Sequence, residues 1–421
     1  MSKIAIIGSG ISGLSAAYLL SRKHDVTLFE REPQTGGHSR TVTVRQGDRI
    51  IPVDTGFIVF NERNYPNLTA LFRELFVPVK DSDMTYAMSV DNGRFEWGAQ
   101  NLNTIFAQRS NLFNPRFYQL FREVMRFNGA AEHAVAQTPT ISLGDLISSM
   151  GLSERFKQLY LLPMSGAIWS SPPQQMLDFP ASVFVQFFKN HGLLSVSGQP
   201  QWRTIDGGSQ QYVRRIVQTL GDRVRTGCAA TSVKRETGLV IVTDNSGESR
   251  SFDHVVLACH SDEALSLLND GSQAEVKALK AIRYQKNDAI LHRDPRFMPR
   301  RRRCWASWNY QSDGKGSEPA VAVTYWMNRL QGIDESCPLF VTLNPASNVA
   351  PEDVFDRHVF HHPVFDAGAI QAQSTLRQLQ GVSNTWYCGA YMRHGFHEDG
   401  LVSALNVTDK FGCKPDWAIL H

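Results

Sequence analysis

Residues 3–30 read KIAIIGSGISGLSAAYLLSRKHDVTLFE. Ile4 to Ile7 is a short run of β-branched and small apolar residues, the pattern of a strand buried on both faces in a parallel sheet. It leads into Gly8-Ser9-Gly10-Ile11-Ser12-Gly13, after which Leu14 to Leu20 has the apolar density of a packed helix. A second strand, Asp25 to Phe29, ends on Glu30, 22 residues after Gly8. Gly8 lets the chain turn off the strand, and Gly10 has no side chain to keep a pyrophosphate from the backbone. Gly13 lets the helix lie close to the strand, and the first helical N–H groups, around Ile11 and Ser12, are free for phosphates. Glu30 is placed to accept hydrogen bonds from an adenosine ribose and to repel a 2′-phosphate, with Arg31 beside it. A lone GxGxxG is weak evidence, but strand, helix, second strand and acid in register make a dinucleotide cradle.

At 421 residues the chain is long enough for two domains or one interrupted one. A hydrophobic content of 42% and a charged content of 20% are those of a globular protein, and a net charge of +3 suggests no nucleic-acid partner. Six cysteines, at 228, 259, 304, 337, 388 and 413, form no CxxC pair, which points to free thiols in a reducing cytoplasm. The first strand starts too early for a cleavable leader, and no run of 18 apolar residues occurs. The expectation is a cytoplasmic protein, attached at most to the inner face of a membrane.

Beyond Glu30 comes Gly36-Gly37-His38-Ser39-Arg40, and further on Asp54-Thr55-Gly56-Phe57. A dinucleotide fold followed by an acid, a short linker and Gly-Gly-x-x-Arg resembles the flavin amine oxidase and carotenoid desaturase superfamily. The resemblance implies non-covalent FAD, with Gly36, Gly37, His38, Ser39 and Arg40 against its pyrophosphate and flavin edge, and Gly56 and Phe57 beside the flavin ring. Trp202 to Ser209, with the amphipathic Tyr212 to Leu220, resembles the turn and helix by which such chains return to the nucleotide domain. There the resemblance carries an adenine contact onto Val233 and a close backbone approach onto Ala258. It also implies the fold class: α/β, a Rossmann-like FAD-binding domain (1–62, 202–268 and 382–421) interrupted by an α+β substrate-binding domain (63–201 and 269–381).

Within the inserted segments, Tyr65 to Phe76, Phe113 to Phe127 and Leu143 to Leu162 have helical apolar spacing, and Asp91-Asn92-Gly93 marks a hairpin between Thr85–Val90 and Arg94–Trp97. The Met- and aromatic-rich Pro163 to Trp169 suggests an apolar pocket. Arg300, Arg301, Arg302 and Arg303, set among Phe297, Trp305 and Trp308, read either as a contact for an anionic membrane surface or as a solvated turn paired with acids. His358, His361 and His362 lack the flanking ligands of a metal site, and no metal is expected.

Near the end, Thr385 to Ala390 is a strand closing on glycine, followed by Gly395-Phe396-His397-Glu398-Asp399-Gly400 and the helix Leu401 to Thr408. The superfamily ends the same way, so Gly389, Ala390, Asp399, Gly400, Leu401 and Val402 are carried over as FAD contacts. A helix N-terminus near the flavin would stabilise its reduced anion. Where amine oxidases have an aromatic wall, this chain has His397, and on the strand where they keep a flavin-linked lysine it has Lys286-Asn287-Asp288. The whole pattern is similar to a bacterial subgroup associated with cyclopropane, methyl-branched and furan fatty-acid synthesis. That similarity implies an FAD oxidoreductase desaturating a methyl-branched, phospholipid-linked acyl chain by hydride transfer to flavin N5. His397, and less directly Glu398, would take the proton, because an imidazole titrates near neutrality. The partners implied are a lipid or other apolar small molecule and an electron acceptor, whether dioxygen, quinone or protein. An amine or carotenoid oxidase, or a redox-neutral lipid isomerase, are the alternatives.

Overall fold

The computed structural model describes residues 1–169, 173–190, 193–194, 198–312 and 321–420, with backbone alone for 167–169, 173–175, 190 and 321. Its central layer is a five-stranded parallel sheet in the order Val224–Arg225, β2 (Asp25–Phe29), β1 (Lys3–Ile7), His254–Leu257 and Thr385–Tyr387. Ile4, Ala5 and Ile6 are fully buried, as a strand covered on both faces requires. Helix α1 (Ile11–Leu20) is apolar on nearly every face and correspondingly buried. Beside it pack helices Gln210–Leu220 and His397–Lys410, and also Pro66–Glu74, through Leu14, Leu68, Ile216 and Leu401. On the other face lie the antiparallel strands Ala230–Glu236, Leu239–Asp244 and Ser249–Phe252, with helices Gln273–Ala281 and Ala367–Gln378.

Those packing partners redraw the expected domain boundaries. Residues 63–78, 273–281 and 367–378 fall on the substrate side by sequence order, yet their apolar faces complete the core around the parallel sheet. Sequence order alone does not show this, because each helix is amphipathic and could cover either core.

The second core is built on a seven-stranded sheet in the order Val354–Val364, Arg283–His292, Phe340–Leu343, Val321–Trp326, Trp308–Ser312, Tyr86–Val90 and Phe95–Gly98. The hairpin Tyr86–Val90/Phe95–Gly98 forms at Asp91-Asn92-Gly93, where all three residues have positive φ as a tight hairpin turn demands. It joins the sheet through parallel pairing with Trp308–Ser312. Helices Pro115–Gln137, Leu143–Ser149 and Ala181–Asn190 cover one face through Phe117, Phe127, Leu146, Phe184 and Phe188. Of the stretch expected to form an apolar pocket, Met164 is buried in this core, while the side chains of Ala167, Ile168 and Trp169 lie outside the described residues. Among the described residues, no helix is long and apolar enough to cross a membrane.

Candidate active site

One continuous cavity of about 1690 Å³ runs from the end of β1 to the aromatic face of the seven-stranded sheet. Its first part is the glycine turn. Gly8 has φ +101 and donates its N–H to Phe29 O at 2.9 Å, tying the turn to β2. A Cβ on Gly13 would fall 1.8 Å from Gly8 O, so only glycine lets α1 lie this close. A Cβ on Gly10 would meet nothing within 4 Å, since that position faces the cavity. The N-terminus of α1 has no side-chain cap, leaving its first N–H groups available, and Ile11 and Ser12 line the cavity. Glu30 is held at the cavity edge by Ser9, whose N–H (2.9 Å) and hydroxyl both donate to its carboxylate, and by Glu32 N–H at 2.9 Å. Arg31 also lines the cavity and pairs with Glu263 at 2.6 Å.

The next part is a crossing of two backbone segments. Phe57 N–H donates to His38 O at 2.7 Å, and a Cβ on Gly56 would lie 2.2 Å from that oxygen. Gly56 is therefore a close-approach glycine. Gly37, His38, Ser39, Gly56, Phe57, Ala258, Gly389 and Ala390 all line this part. Asp54, fully buried, anchors the crossing. It accepts from Thr41 Oγ1 (2.6 Å), Ser209 N–H and Oγ (2.9 and 2.8 Å) and Gln331 Nε2 (3.0 Å). Burial nonetheless raises its carboxyl to about 6. Arg40 lines the cavity, but its guanidinium is bound bidentately to Asp356 at 2.7 and 3.0 Å, so the charge expected to meet a phosphate is already paired.

His397 lies in the same wall, stacked on Phe57 with ring centroids 3.8 Å apart. Its Nε2 is within hydrogen-bonding distance of Ser39 Oγ (2.8 Å) and Tyr212 Oη (3.3 Å), and these two hydroxyls bond to each other. Burial depresses the imidazole to about 3, so it is neutral at ordinary pH. Both features make it a weaker base than an unperturbed imidazole. Glu398 does not reach the cavity. Its carboxylate accepts from Asn67 N–H (2.9 Å), Asn67 Nδ2 (2.8 Å) and Leu68 N–H (2.9 Å), which caps helix Pro66–Glu74. The expectation that it serves chemistry is corrected accordingly.

Other expected contacts sit behind the wall. Asp399 accepts from Phe396 N–H at 3.0 Å, and Gly400 is packed on α1, its carbonyl accepting from Ser12 Oγ at 2.9 Å. Leu401 and Val402 are fully buried a turn deeper, and Gly36 is folded beneath Ser39, so the cavity meets the C-terminal helix at Phe396 and His397 instead. Val233 is fully buried in the core beside the parallel sheet; the cavity wall is formed three and four residues earlier, by Ala230 and Ala229. The strand has a register shift between Ala230 and Ser232, so its start borders the nucleotide end while Val233 is covered by the core.

His260, Tyr284 and Phe360, which no motif flagged, complete the site together with His38 and the histidines of the strand Val354–Val364. His260 stacks on Tyr284 at 4.4 Å, and His38 lies against Phe360 and His362, at 4.9 and 5.3 Å. His358, Phe360 and His362 share one face of their strand by its two-residue period. Burial lowers the pKa of His38, His260, His358 and His362, the last to about 4. Beyond them the cavity becomes apolar, with Tyr86, Trp97, Phe121, Tyr160, Trp308 and Tyr325 on its walls. Among the described residues, lysine and carboxylates stay outside this part: Lys286 is exposed beside Asp288, and the acids on the wall, Glu30, Glu32 and Glu263, are all at the nucleotide end.

This geometry fits FAD. The open N-terminus of α1 and the bare backbone of Gly10 suit a pyrophosphate, and Glu30 suits a ribose. The crossing of residues 37–39 with 56–57 suits a flat ring system.

Residues 11–297 match the family described as flavin containing amine oxidoreductase. The amine oxidase [flavin-containing] A of Sus scrofa is 26% identical over 274 residues, covering 61% of this chain and 49% of its own length. The carotenoid phi-ring synthase of Streptomyces griseus is 25% identical over 282 residues, 61% of this chain and 52% of its own. The chain thus spans about half the length of the curated relatives it matches. Among solved structures, the CLA-producing fatty acid isomerase from P. acnes superposes with a TM-score of 0.70 at 16% identity, covering 97% of this chain and 98% of its own. The chain belongs to the flavin-containing amine oxidoreductase family, with FAD as its cofactor and the two-domain α/β fold of that family.

Proposed function

We propose that this chain is an FAD-dependent oxidoreductase that takes hydride from a long apolar substrate, an acyl chain of a lipid. The observation carrying this reading is the cavity: the nucleotide cradle continues into an aromatic chamber whose far walls, among the described residues, carry neither lysine nor carboxylate. An amine substrate would bring a cation into that chamber with no carboxylate among the described residues to meet it, at a cost of several kcal/mol or a suppressed protonation. An acyl chain needs only apolar burial, about 0.8 kcal/mol per methylene. FAD, when bound, supplies a two-electron hydride acceptor. The chain's own residues would exclude water through the aromatic walls and hold the ring through Gly56, Phe57 and Ser39. His397, neutral and tied to two hydroxyls, would position the first turn of helix His397–Lys410 at that ring, and a base role for it is the weaker assignment.

A redox-neutral double-bond isomerase is the second reading, supported by the same chamber: if hydride returns to the substrate, no ionisable base is needed at its far end. The fatty acid isomerase among the structural neighbours agrees with it at the level of fold. Solvent extraction of the purified protein, followed by mass spectrometry, tests the substrate class. The expected result is a stoichiometric acyl lipid, and recovery of an amine or a carotenoid in its place would contradict the proposal.

A further inference from the structure

One surface of the substrate side is apolar and basic together. Between residues 100 and 128 the chain carries Arg109, Arg116, Arg122 and Arg126 against one acid, Glu123. All four arginines are exposed, whereas Glu123 is buried and already accepts from Ser153 and Gln119. Arg109 and Arg126 donate to the backbone carbonyls of Phe106 and Gly151. Large apolar side chains stand among them: Phe113 is 88% exposed, Leu102 74% and Met125 54%. On helix Pro115–Gln137, Tyr118, Arg122 and Met125 follow at i, i+4 and i+7 and so share one face.

The arginine run at 300–303 borders this surface without supplying all of it. Arg301 is bound to the buried Glu96 at 2.7 Å, and Arg302 pairs with Glu335 at 2.8 Å while lying over the ring of Trp305. The turn Arg302–Cys304 packs on helix Leu102–Ile105, so the exposed Arg300 and Arg303 stand at the edge of the patch. Met125 has a second property. With Phe121, Val124 and Asn128 of the same helix it lines the large cavity. The exposed patch and the apolar chamber are thus two sides of one helix.

We infer that this surface docks on an anionic lipid bilayer. Phe113 and Leu102 enter the acyl region, and the arginines of helix Pro115–Gln137 meet headgroup phosphates, as cations beside an apolar face do at membrane interfaces. A second copy of the chain is the other occupant an apolar patch could take. A two-fold contact would bring these arginines against themselves, with Glu123 buried and spent, which disfavours it. Docked in this way, the protein presents the Met125 edge of the chamber to the bilayer, and an acyl chain enters without crossing water. The inference rests on the acyl reading for its purpose, but its test needs no turnover.

The FAD-loaded protein is sedimented with vesicles of phosphatidylcholine, with and without phosphatidylglycerol. Binding is expected only with phosphatidylglycerol and should weaken as salt rises. R116Q/R122Q should bind about thirty-fold more weakly. F113S should weaken binding at every salt concentration, and R223Q on the nucleotide side should bind as wild type. Flavin absorbance retained by each variant shows that it is folded. Wild type that ignores anionic vesicles, or R116Q/R122Q and F113S that bind like wild type, would overturn the inference. So would F113S that turns a dimer into a monomer in velocity sedimentation while vesicle binding is unchanged, because the surface would then belong to a second copy. Failure of every lipid to reduce the flavin would remove the acyl reading and leave vesicle binding as it stands.

Discussion

Histidine is the residue on which sequence and structure differ most. The sequence places His397 at the decisive step of the C-terminal motif, and the structure does set it in the cavity wall. Its surroundings, visible only in three dimensions, change its chemistry: Phe57 covers the ring, and Ser39 and Tyr212 occupy Nε2. Tyr212 reads in sequence only as the start of an amphipathic helix, and nothing local ties it to a histidine 185 residues away. The buried imidazoles also make the fold sensitive to acid. His362 has its pKa lowered from 6.5 to about 4, so between those values the unfolded chain binds a proton that the folded one does not. Stability therefore rises with pH across that window and is lost as pH falls from 6.5 towards 4. Going from pH 7 to pH 5 costs about 2 kcal/mol for this one residue. His292 and His397, lowered to about 4 and about 3, act in the same sense, while Asp54, raised to about 6, acts in the opposite one. H362Q keeps an acceptor for Asn287 Nδ2 but no titrating ring. Its Tm should fall less than wild type between pH 7 and pH 5, and an unchanged slope by differential scanning fluorimetry would contradict the assignment.

At the scale of elements, what was legible in sequence is what local chemistry dictates. Gly8, Gly10 and Gly13 could be read because strand, turn and helix are contiguous, and each glycine answers a steric need within a few residues. The Asp91-Asn92-Gly93 hairpin was legible for the same reason. Contacts between distant segments were not. Arg40 looked available for phosphate because Asp356, which binds it, is 316 residues away. Val233 follows from the resemblance alone, and the cavity wall falls instead at Ala229 and Ala230, ahead of a register shift in that strand. Glu398 sits on the flavin motif in sequence, yet in space it is the cap of helix Pro66–Glu74. E398A should lower stability by about 1–3 kcal/mol by leaving buried N–H groups of Asn67 and Leu68 unpaired. The flavin spectrum should be unchanged, and E398Q, which keeps an acceptor, should lose less. Urea denaturation followed by tryptophan fluorescence measures it. Loss of bound flavin in E398A without loss of stability would return Glu398 to the cofactor.

The whole molecule is a parallel-sheet domain and a mixed-sheet domain with one cavity between them. Cofactor and fold class follow from short motifs at both ends of the chain, and the family match agrees with them. Where the two cores divide was not legible, because the amphipathic helices Pro66–Glu74, Gln273–Ala281 and Ala367–Gln378 do not announce which sheet they cover. The substrate chamber is also a property of the assembled molecule, its walls coming from both inserted segments. Electrons leaving an apolar chain are the central claim, and the flavin itself reports them. Under anaerobic conditions, the FAD-loaded protein is titrated with its co-purifying lipid and with a panel of primary and secondary amines, and the oxidised flavin band is followed. The account predicts that the lipid bleaches the band in proportion to its amount and that the amines leave it intact. Bleaching by an amine, with no response to any lipid, would contradict it.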